Sequence, residues 1–259
     1  GKTAKWAESK LLGGNLKEPF FLGAGIFEPH LPNYTLQKYF DQFPLEEIEL
    51  PKGYREDDLD DVPGAHSKMA HNPWLKKIRA AGQWKPAIQA YLACTAMTDD
   101  LIGQIVRALE KSKYADNTII VLWSDHGFQL GEKERWAKYS LWERATRVNM
   151  VWVAPGVTKP GSTSAKPVNL LDIYPTLASL TGCKPPKKQL EGNDLTVLMK
   201  NPEATWNKTS LTVFGHKNYG IRSERYRYIV YADGTEELYD HAKDKWEWHN
   251  FAGNSDYAE

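Results

Sequence analysis

Cysteine is nearly absent: Cys94 and Cys183 are the only two in 259 residues. Two are too few for a disulfide framework, and they say little about redox compartment. Excess charge of either sign is missing too, since 33 Lys and Arg face 33 Asp and Glu. That balance removes nucleic acid and anionic membrane as default partners. No apolar run reaches the roughly 18–20 residues of a membrane span. The opening Gly1-Lys2-Thr3-Ala4-Lys5-Trp6 lacks the apolar stretch of a signal peptide. Internal repeats and low-complexity tracts are also lacking. The chain opens at Gly1, without Met, directly into a helix-like segment, so a processed or truncated chain is expected.

What is present fits a globular protein. Hydrophobic residues make up 41% and charged residues 25%, enough for one substantial core, or a core plus a small appended domain. Ten Trp and thirteen Tyr are many for this length. Such side chains fill cores and also line sugar-binding clefts.

An amphipathic stretch from Ala4 to Leu12 stops at Gly13-Gly14, a helix-end signal. The apolar run Pro19 to Ile26 has the pattern of a buried strand, and the prolines of Glu28-Pro29-His30-Leu31-Pro32 then impose an extended loop. This alternation predicts a parallel α/β sheet. Residues 50–75 show no periodicity, and their acidic cluster Glu56 to Asp61 reads as a solvated surface excursion. Pro86 opens the longest predicted helix, to about Lys111, with Ile88, Leu92, Leu101, Ile105 and Leu109 on its apolar face. Asn117–Trp123 and Asn149–Ala154 read as strands, and Val168–Leu180 as a helix stopped by Gly182. Beyond Pro185-Pro186, Arg225–Tyr231 and Glu237–Asp240 flank Asp233-Gly234 as an antiparallel hairpin.

Chemistry concentrates at Ser124-Asp125-His126-Gly127. A strand ending in Asp-His-Gly puts a carboxylate and an imidazole at the edge where open α/β sheets bind ligands. Gly127 lets the backbone turn away, and both side chains are competent ligands for a divalent cation. The plain alternative is that Asp125 caps the following turn and His126 is a satisfied surface residue.

The flanking residues speak for more. Ser124 to Glu132, followed by Trp136-Ala137-Lys138-Tyr139-Ser140, resembles the corresponding stretch of the formylglycine-dependent sulfatases, especially their iduronate-2-sulfatase-like branch, in the alkaline phosphatase superfamily. Pro29-His30-Leu31-Pro32, Val153-Ala154-Pro155-Gly156, Asp172-Ile173-Tyr174-Pro175-Thr176-Leu177 and Ile221 to Tyr228 continue the likeness in order. The resemblance implies a metal ion, usually calcium, held against the sulfate beside a formylglycine made from Cys or Ser. It makes Asp125 and His126 metal ligands, Lys138 a cationic clamp on the sulfate oxygens, and His30 a contact to the sulfate or the leaving oxygen. A solvated loop lysine and a histidine packed between prolines are the bland readings of Lys138 and His30. Such roles suit a sulfate ester, whose charge lies on peripheral oxygens and whose alcohol needs a proton. His216, Lys217 and Asn218 either reach the substrate cleft or belong to a surface loop.

Two family features are missing. The nucleophile motif Cys-x-Pro/Ala-x-Arg is not matched at Cys94, and Cys183-Lys184-Pro185-Pro186-Lys187 mimics it with Lys for Arg, after a helix rather than before one. Cys183 is therefore read as structural. The family's strand-terminal Asp pair is missing as well, because Asp99-Asp100 sits within a helix, where neighbours point about 100° apart. Glu28 stands where relatives often carry Lys or Arg, which leaves the substrate preference open.

The expectation is an α/β fold: a layered mixed sheet flanked by helices, sulfatase-like, with a small C-terminal antiparallel subdomain. Residues 1–199 are assigned to the catalytic domain's C-terminal part, and 200–259 to the subdomain. The expected activity is sulfuric ester hydrolysis of a sulfated carbohydrate, with Ca2+ and a formylglycine that this chain lacks. Alternatives are a phosphate or phosphonate ester hydrolase of the same superfamily, or a non-catalytic carbohydrate-binding remnant. The expected partners are the sulfated carbohydrate and a complementary N-terminal chain, in an extracytoplasmic compartment by family resemblance.

Overall fold

The computed structural model describes residues 1–69, 72–185 and 190–257. Helices α1 (Lys2–Leu12), α2 (Gln37–Phe40), α3 (Ala65–Met69), α4 (Trp74–Ala80) and α5 (Trp84–Glu110) precede strand β1 (Ile120–Trp123). Then follow β2 (Gln129–Leu130), β3 (Trp136–Ala137), α6 (Glu143–Thr146), β4 (Met150–Val153), α7 (Ile173–Thr181) and α8 (Thr196–Lys200). Strands β5 (Ser210–Val213), β6 (Tyr219–Arg222), β7 (Tyr226–Val230) and β8 (Glu236–Asp240) close the chain. The chain divides into two compact units, residues 1–50 with 76–118, and residues 51–75 with 119–259.

The first unit is built on α5. Pro86 falls in its first turn, where a missing N–H costs nothing. Ile88, Ala93, Cys94, Ala108 and Leu109 are buried along it. Helix α1 packs against α5 and buries Ala4, Ala7 and Leu11, spaced three and four apart on one face. Asp100 accepts a hydrogen bond from the Tyr39 hydroxyl at 2.8 Å, with Lys38 3.5 Å away, so its carboxylate is already engaged within the unit.

The buried strand expected over 19–26 does not form. These residues run without ladder partners, and Phe21 is 84% exposed. An apolar run becomes a strand only where a neighbour offers backbone hydrogen bonds, and among the described residues every strand belongs to the second unit.

In the second unit β1 pairs with β4, Ile120 opposite Val153 and Trp123 opposite Met150. The pairing is antiparallel. The alternation of helix and strand had predicted parallel neighbours, and none stands among the described residues. Helix α7 stops as expected at Gly182, which takes a left-handed φ of 69° that a side chain would resist. The C-terminal strands form one antiparallel sheet in the order β5-β6-β7-β8. The predicted hairpin is β7–β8, with Tyr226 opposite Asp240 and Val230 opposite Glu236.

The core of this unit gathers Ala65, Leu141, Trp142, Ile229, Tyr231 and Tyr239. Glu237 is fully buried inside it, and Trp142, Tyr231 and Tyr239 all donate to its carboxylate. Three donors satisfy a charge that would otherwise be prohibitive there. The acidic segment is not simply solvated either. Asp58 is 0% exposed and accepts from Lys133 Nζ at 2.8 Å, with Lys133 itself 2% exposed.

At the end of β8, Arg225 grips the buried Asp240 carboxylate with two N–H groups, at 2.8 and 2.6 Å. That fork holds the Asp240 carboxyl down at about 2, below its ordinary 3.8. A depressed carboxyl contributes stability that is present above the unfolded value and lost as pH falls toward the folded one. Between pH 4 and 2 the parent protein should therefore lose more stability than Asp240→Asn. Urea midpoints measured across that range check this, and parallel profiles for the two proteins would contradict it.

Candidate active site

The site starts where β1 ends. Ser124 N–H still pairs with the Asn149 carbonyl at 3.2 Å, then the chain leaves the ladder. Ser124 Oγ donates to the His126 carbonyl at 2.8 Å, and Asp125 Oδ1 accepts from His126 N–H at 3.1 Å. Gly127 N–H donates to the Ala145 carbonyl of α6 at 2.9 Å. A Cβ at position 127 would lie 2.1 Å from the Arg144 carbonyl oxygen and 2.8 Å from that of Arg147. Glycine is thus required here for the close approach of two backbones.

The imidazole of His126 is oriented by its own loop. Nδ1 lies 2.8 Å from the Gly127 carbonyl, which can only accept, so Nδ1 carries the proton. Nε2 is left with the lone pair. Lys138 Nζ lies 2.8 Å from Nε2, and Asp125 Oδ2 lies 3.6 Å from it. Asp125 is exposed and His126 half-buried, so the group faces solvent from a fixed base. A carboxylate, an imidazole lone pair and an ammonium converge here, twelve residues apart in sequence between His126 and Lys138.

Lys138 is positioned by an unusual backbone. Ala137 (φ 73°) and Tyr139 (φ 71°) straddle it in the left-handed region, and Lys133 and Glu134 adopt φ 52° and 50°. Each such residue costs on the order of 1–3 kcal/mol, so the surroundings must impose it. They do so from several sides. The buried Gln129 of β2 accepts from Ser140 Oγ at 2.9 Å and donates to the Glu132 carbonyl at 3.2 Å. Asn72 donates to the Trp136 carbonyl at 2.6 Å. The Arg135 guanidinium donates to the His66 carbonyl at 3.0 Å and lies over the Trp142 ring. Asn72, Gln129 and Arg135 carry no signal in the sequence that marks them as supports.

His216 lies in the exposed turn between β5 and β6. Phe214, two residues before it, meets Tyr139 edge-on at a centroid distance of 6.0 Å, which brings this turn to the Lys138 segment. His30 belongs to the first unit, exposed, with Nδ1 2.6 Å from the Leu31 carbonyl and its ring against Phe27. Cys94 is buried within α5, and Cys183 is exposed just beyond α7. Pro186 and Lys187 of the decoy motif lie outside the described residues.

A second set of donors, Glu143, His241 and Glu247, places one ligand atom each within 4.8 Å of the others. Guanidinium groups already occupy it. Arg227 and Arg222 pair with Glu143, and Arg227 Nε lies 2.7 Å from Glu247, which His241 also approaches at 3.0 Å. Burial pushes the Glu247 carboxyl up, but Arg227 and His241 bring it below the ordinary value. A cation would have to displace two arginines, so this cluster is an ion-pair network.

Comparison with known proteins places the chain in a family. The family model described as Sulfatase matches residues 3–183. The chain belongs to the sulfatase family. A second model, N-sulphoglucosamine sulphohydrolase, C-terminal, matches residues 131–259. A sulfatase of Formosa agariphila is 44% identical over 93% of this chain and 47% of its own length. Human iduronate 2-sulfatase is 30% identical over 66% of the chain and 37% of its own length. The chain thus spans half or less of these two curated relatives. Among solved structures, a protein in complex with its substrate D-glucosamine-2-N,6-O-disulfate aligns over 99% of this chain and 66% of its own, with a TM-score of 0.77 and 22% identity. The phosphonate monoester hydrolase of Agrobacterium radiobacter aligns over 100% of this chain and 57% of its own, with a TM-score of 0.80 and 22% identity. These two likenesses establish the sulfatase-like α/β fold, with its C-terminal four-stranded antiparallel sheet.

Proposed function

We propose that the protein containing this chain hydrolyses sulfate esters of a carbohydrate, with Asp125, His126 and Lys138 as this chain's contribution to the reacting centre. The observation that carries the reading is Lys138 Nζ held 2.8 Å from the lone-pair nitrogen of His126, between two left-handed residues. A solvated loop lysine has no reason to be so constrained.

The donor set suits one side of a calcium site. Asp125 offers an exposed carboxylate, and His126 would offer Nε2 once the Lys138 ammonium now 2.8 Å from it turned to the sulfate, with Nδ1 still tied to a carbonyl. Calcium takes about six to eight ligands, mostly oxygen, so the remaining donors come from elsewhere. When bound, the cation supplies charge stabilisation at the sulfate oxygens. Lys138 adds a second positive group where charge accumulates. His30 is assigned proton donation to the leaving oxygen on family resemblance alone, and His216 substrate contact on the placement of its turn beside Tyr139. The nucleophile, a formylglycine in this family, is assigned to a complementary N-terminal region. Relatives about twice as long as this chain, and the half-exposed Val151 and Val153 on β4, support that assignment. Residues 1–199 are read as the catalytic domain's part and 200–259 as its subdomain. An extracytoplasmic location is proposed from the family, and no described helix is long and apolar enough to cross a membrane.

Assaying the full-length protein side by side on an aryl sulfate and an aryl phosphate tests the reading. Faster turnover of the sulfate is expected. Phosphate turned over far faster would assign the chain to phosphate chemistry instead, which the same donors serve.

A further inference from the structure

A cleft of about 550 Å³ opens in the second unit, beside the candidate active site. Arg144, Arg147, Arg222, Arg225 and Lys245 line it with Trp246, against two carboxylates, Glu143 and Glu224. The signs are layered. The carboxylates that pair with these arginines lie deep: Asp240 is fully buried, and Glu143 and Glu132 are largely covered. Glu224, half-exposed at the cleft, is already paired with Lys166 Nζ at 2.9 Å, and the other exposed charges of the lining are cationic. Arg147 is 76% exposed and only 3.9 Å from Glu143, and Arg144 is half-exposed at 3.6 Å from Glu132. Both separations are loose for ion pairs, so the guanidinium N–H groups keep donors to spare. Trp246 holds two of the cations in place, with Arg144 4.7 Å and Lys245 5.1 Å from its ring centroid.

The cleft is joined to His126 through backbone. Arg144 lies within α6 and Arg147 just after it, and their carbonyls press on Gly127, the residue after His126. A ligand that places one anionic group at Asp125, His126 and Lys138 and extends past the backbone contact at Gly127 would meet a cationic cleft. A monosulfated sugar would leave that cleft unused.

We infer that this cleft is an accessory anion site, which binds a second sulfate or carboxylate group on the same saccharide chain. The ligand class rests on the sulfate-ester reading above, while the cleft itself does not. Arginine forks match both kinds of oxyanion, and exposed cations of this kind give salt-sensitive binding.

Calorimetric titration of the full-length protein at low salt tests it, with a heparin-derived hexasaccharide and its desulfated counterpart as probes. The double variant Arg147→Gln/Lys245→Gln should bind the sulfated probe about tenfold more weakly, having lost two exposed charge contacts. Its salt dependence should flatten accordingly, while its melting temperature stays put. His126→Ala should keep most of the binding. Binding of the double variant within twofold of the parent would overturn the inference, as would loss of binding in His126→Ala alone. A parent that binds through these residues yet turns over no sulfate ester would sustain the cleft and sink the ester reading, so the two fail separately.

Discussion

Lys133→Met should destabilise the protein by about 3–5 kcal/mol, because it strands a buried carboxylate. Asp58 is completely enclosed, and its oxygens receive both the Nζ of Lys133 at 2.8 Å and its backbone N–H at 3.2 Å. The ammonium also faces the rings of Tyr239 at 4.9 Å and Trp142 at 5.7 Å. Methionine fills a similar volume, so the loss reports charge rather than a cavity. Denaturant midpoints measure it, and the double variant Asp58→Asn/Lys133→Met should lose clearly less than the sum of the single losses. A loss below 1 kcal/mol in Lys133→Met would show that the pair does not anchor this loop. The pair matters for the site because Lys133 begins the segment of left-handed residues that delivers Lys138.

Lys138→Ala in the full-length protein should lower kcat on a sulfate ester by about 10²–10³-fold, the usual loss when one oxyanion-stabilising group is removed. Lys138→Arg should recover only part of this, since a forked guanidinium does not reproduce a compact ammonium between two constrained neighbours. Neither change should move the melting temperature by more than a degree or two, as Lys138 stands outside the buried core. Steady-state kinetics decide it. An alanine variant that loses less than threefold in kcat would remove Lys138 from the reacting centre.

The legible parts of this molecule are those encoded over short stretches. Helix α1 and its Gly13 stop, the Gly182 cap and the β7–β8 hairpin around Asp233-Gly234 follow from local periodicity and turn chemistry. The Asp-His-Gly end of β1 was visible for the same reason: a strand, a turn and two side chains within eight residues. Pairings between distant residues were not legible. Asp58 meets Lys133 across 75 positions, and an acidic run looks solvated until its partner is known. The run 19–26 failed because composition cannot supply a neighbouring strand, and β1 met β4 antiparallel because helix-strand alternation does not dictate the ladder. The left-handed residues around Lys138 are Lys, Glu, Ala and Tyr, none of which signals φ > 0, so the strain shows only in the folded backbone.

The contact between Gly127 and α6 sets the terms on which this site can diversify. With the Arg144 carbonyl where a 127 Cβ would sit, neither strand of chain can lengthen or swing without unseating the other. The side chain at 147 is 76% exposed and that at 144 half-exposed over Trp246, so both can be exchanged while the main chain beneath them stays fixed. Natural or engineered variation is therefore confined to what the two arginines present. A different ligand preference can be installed there by exchanging side chains alone, leaving the imidazole of His126 where it is.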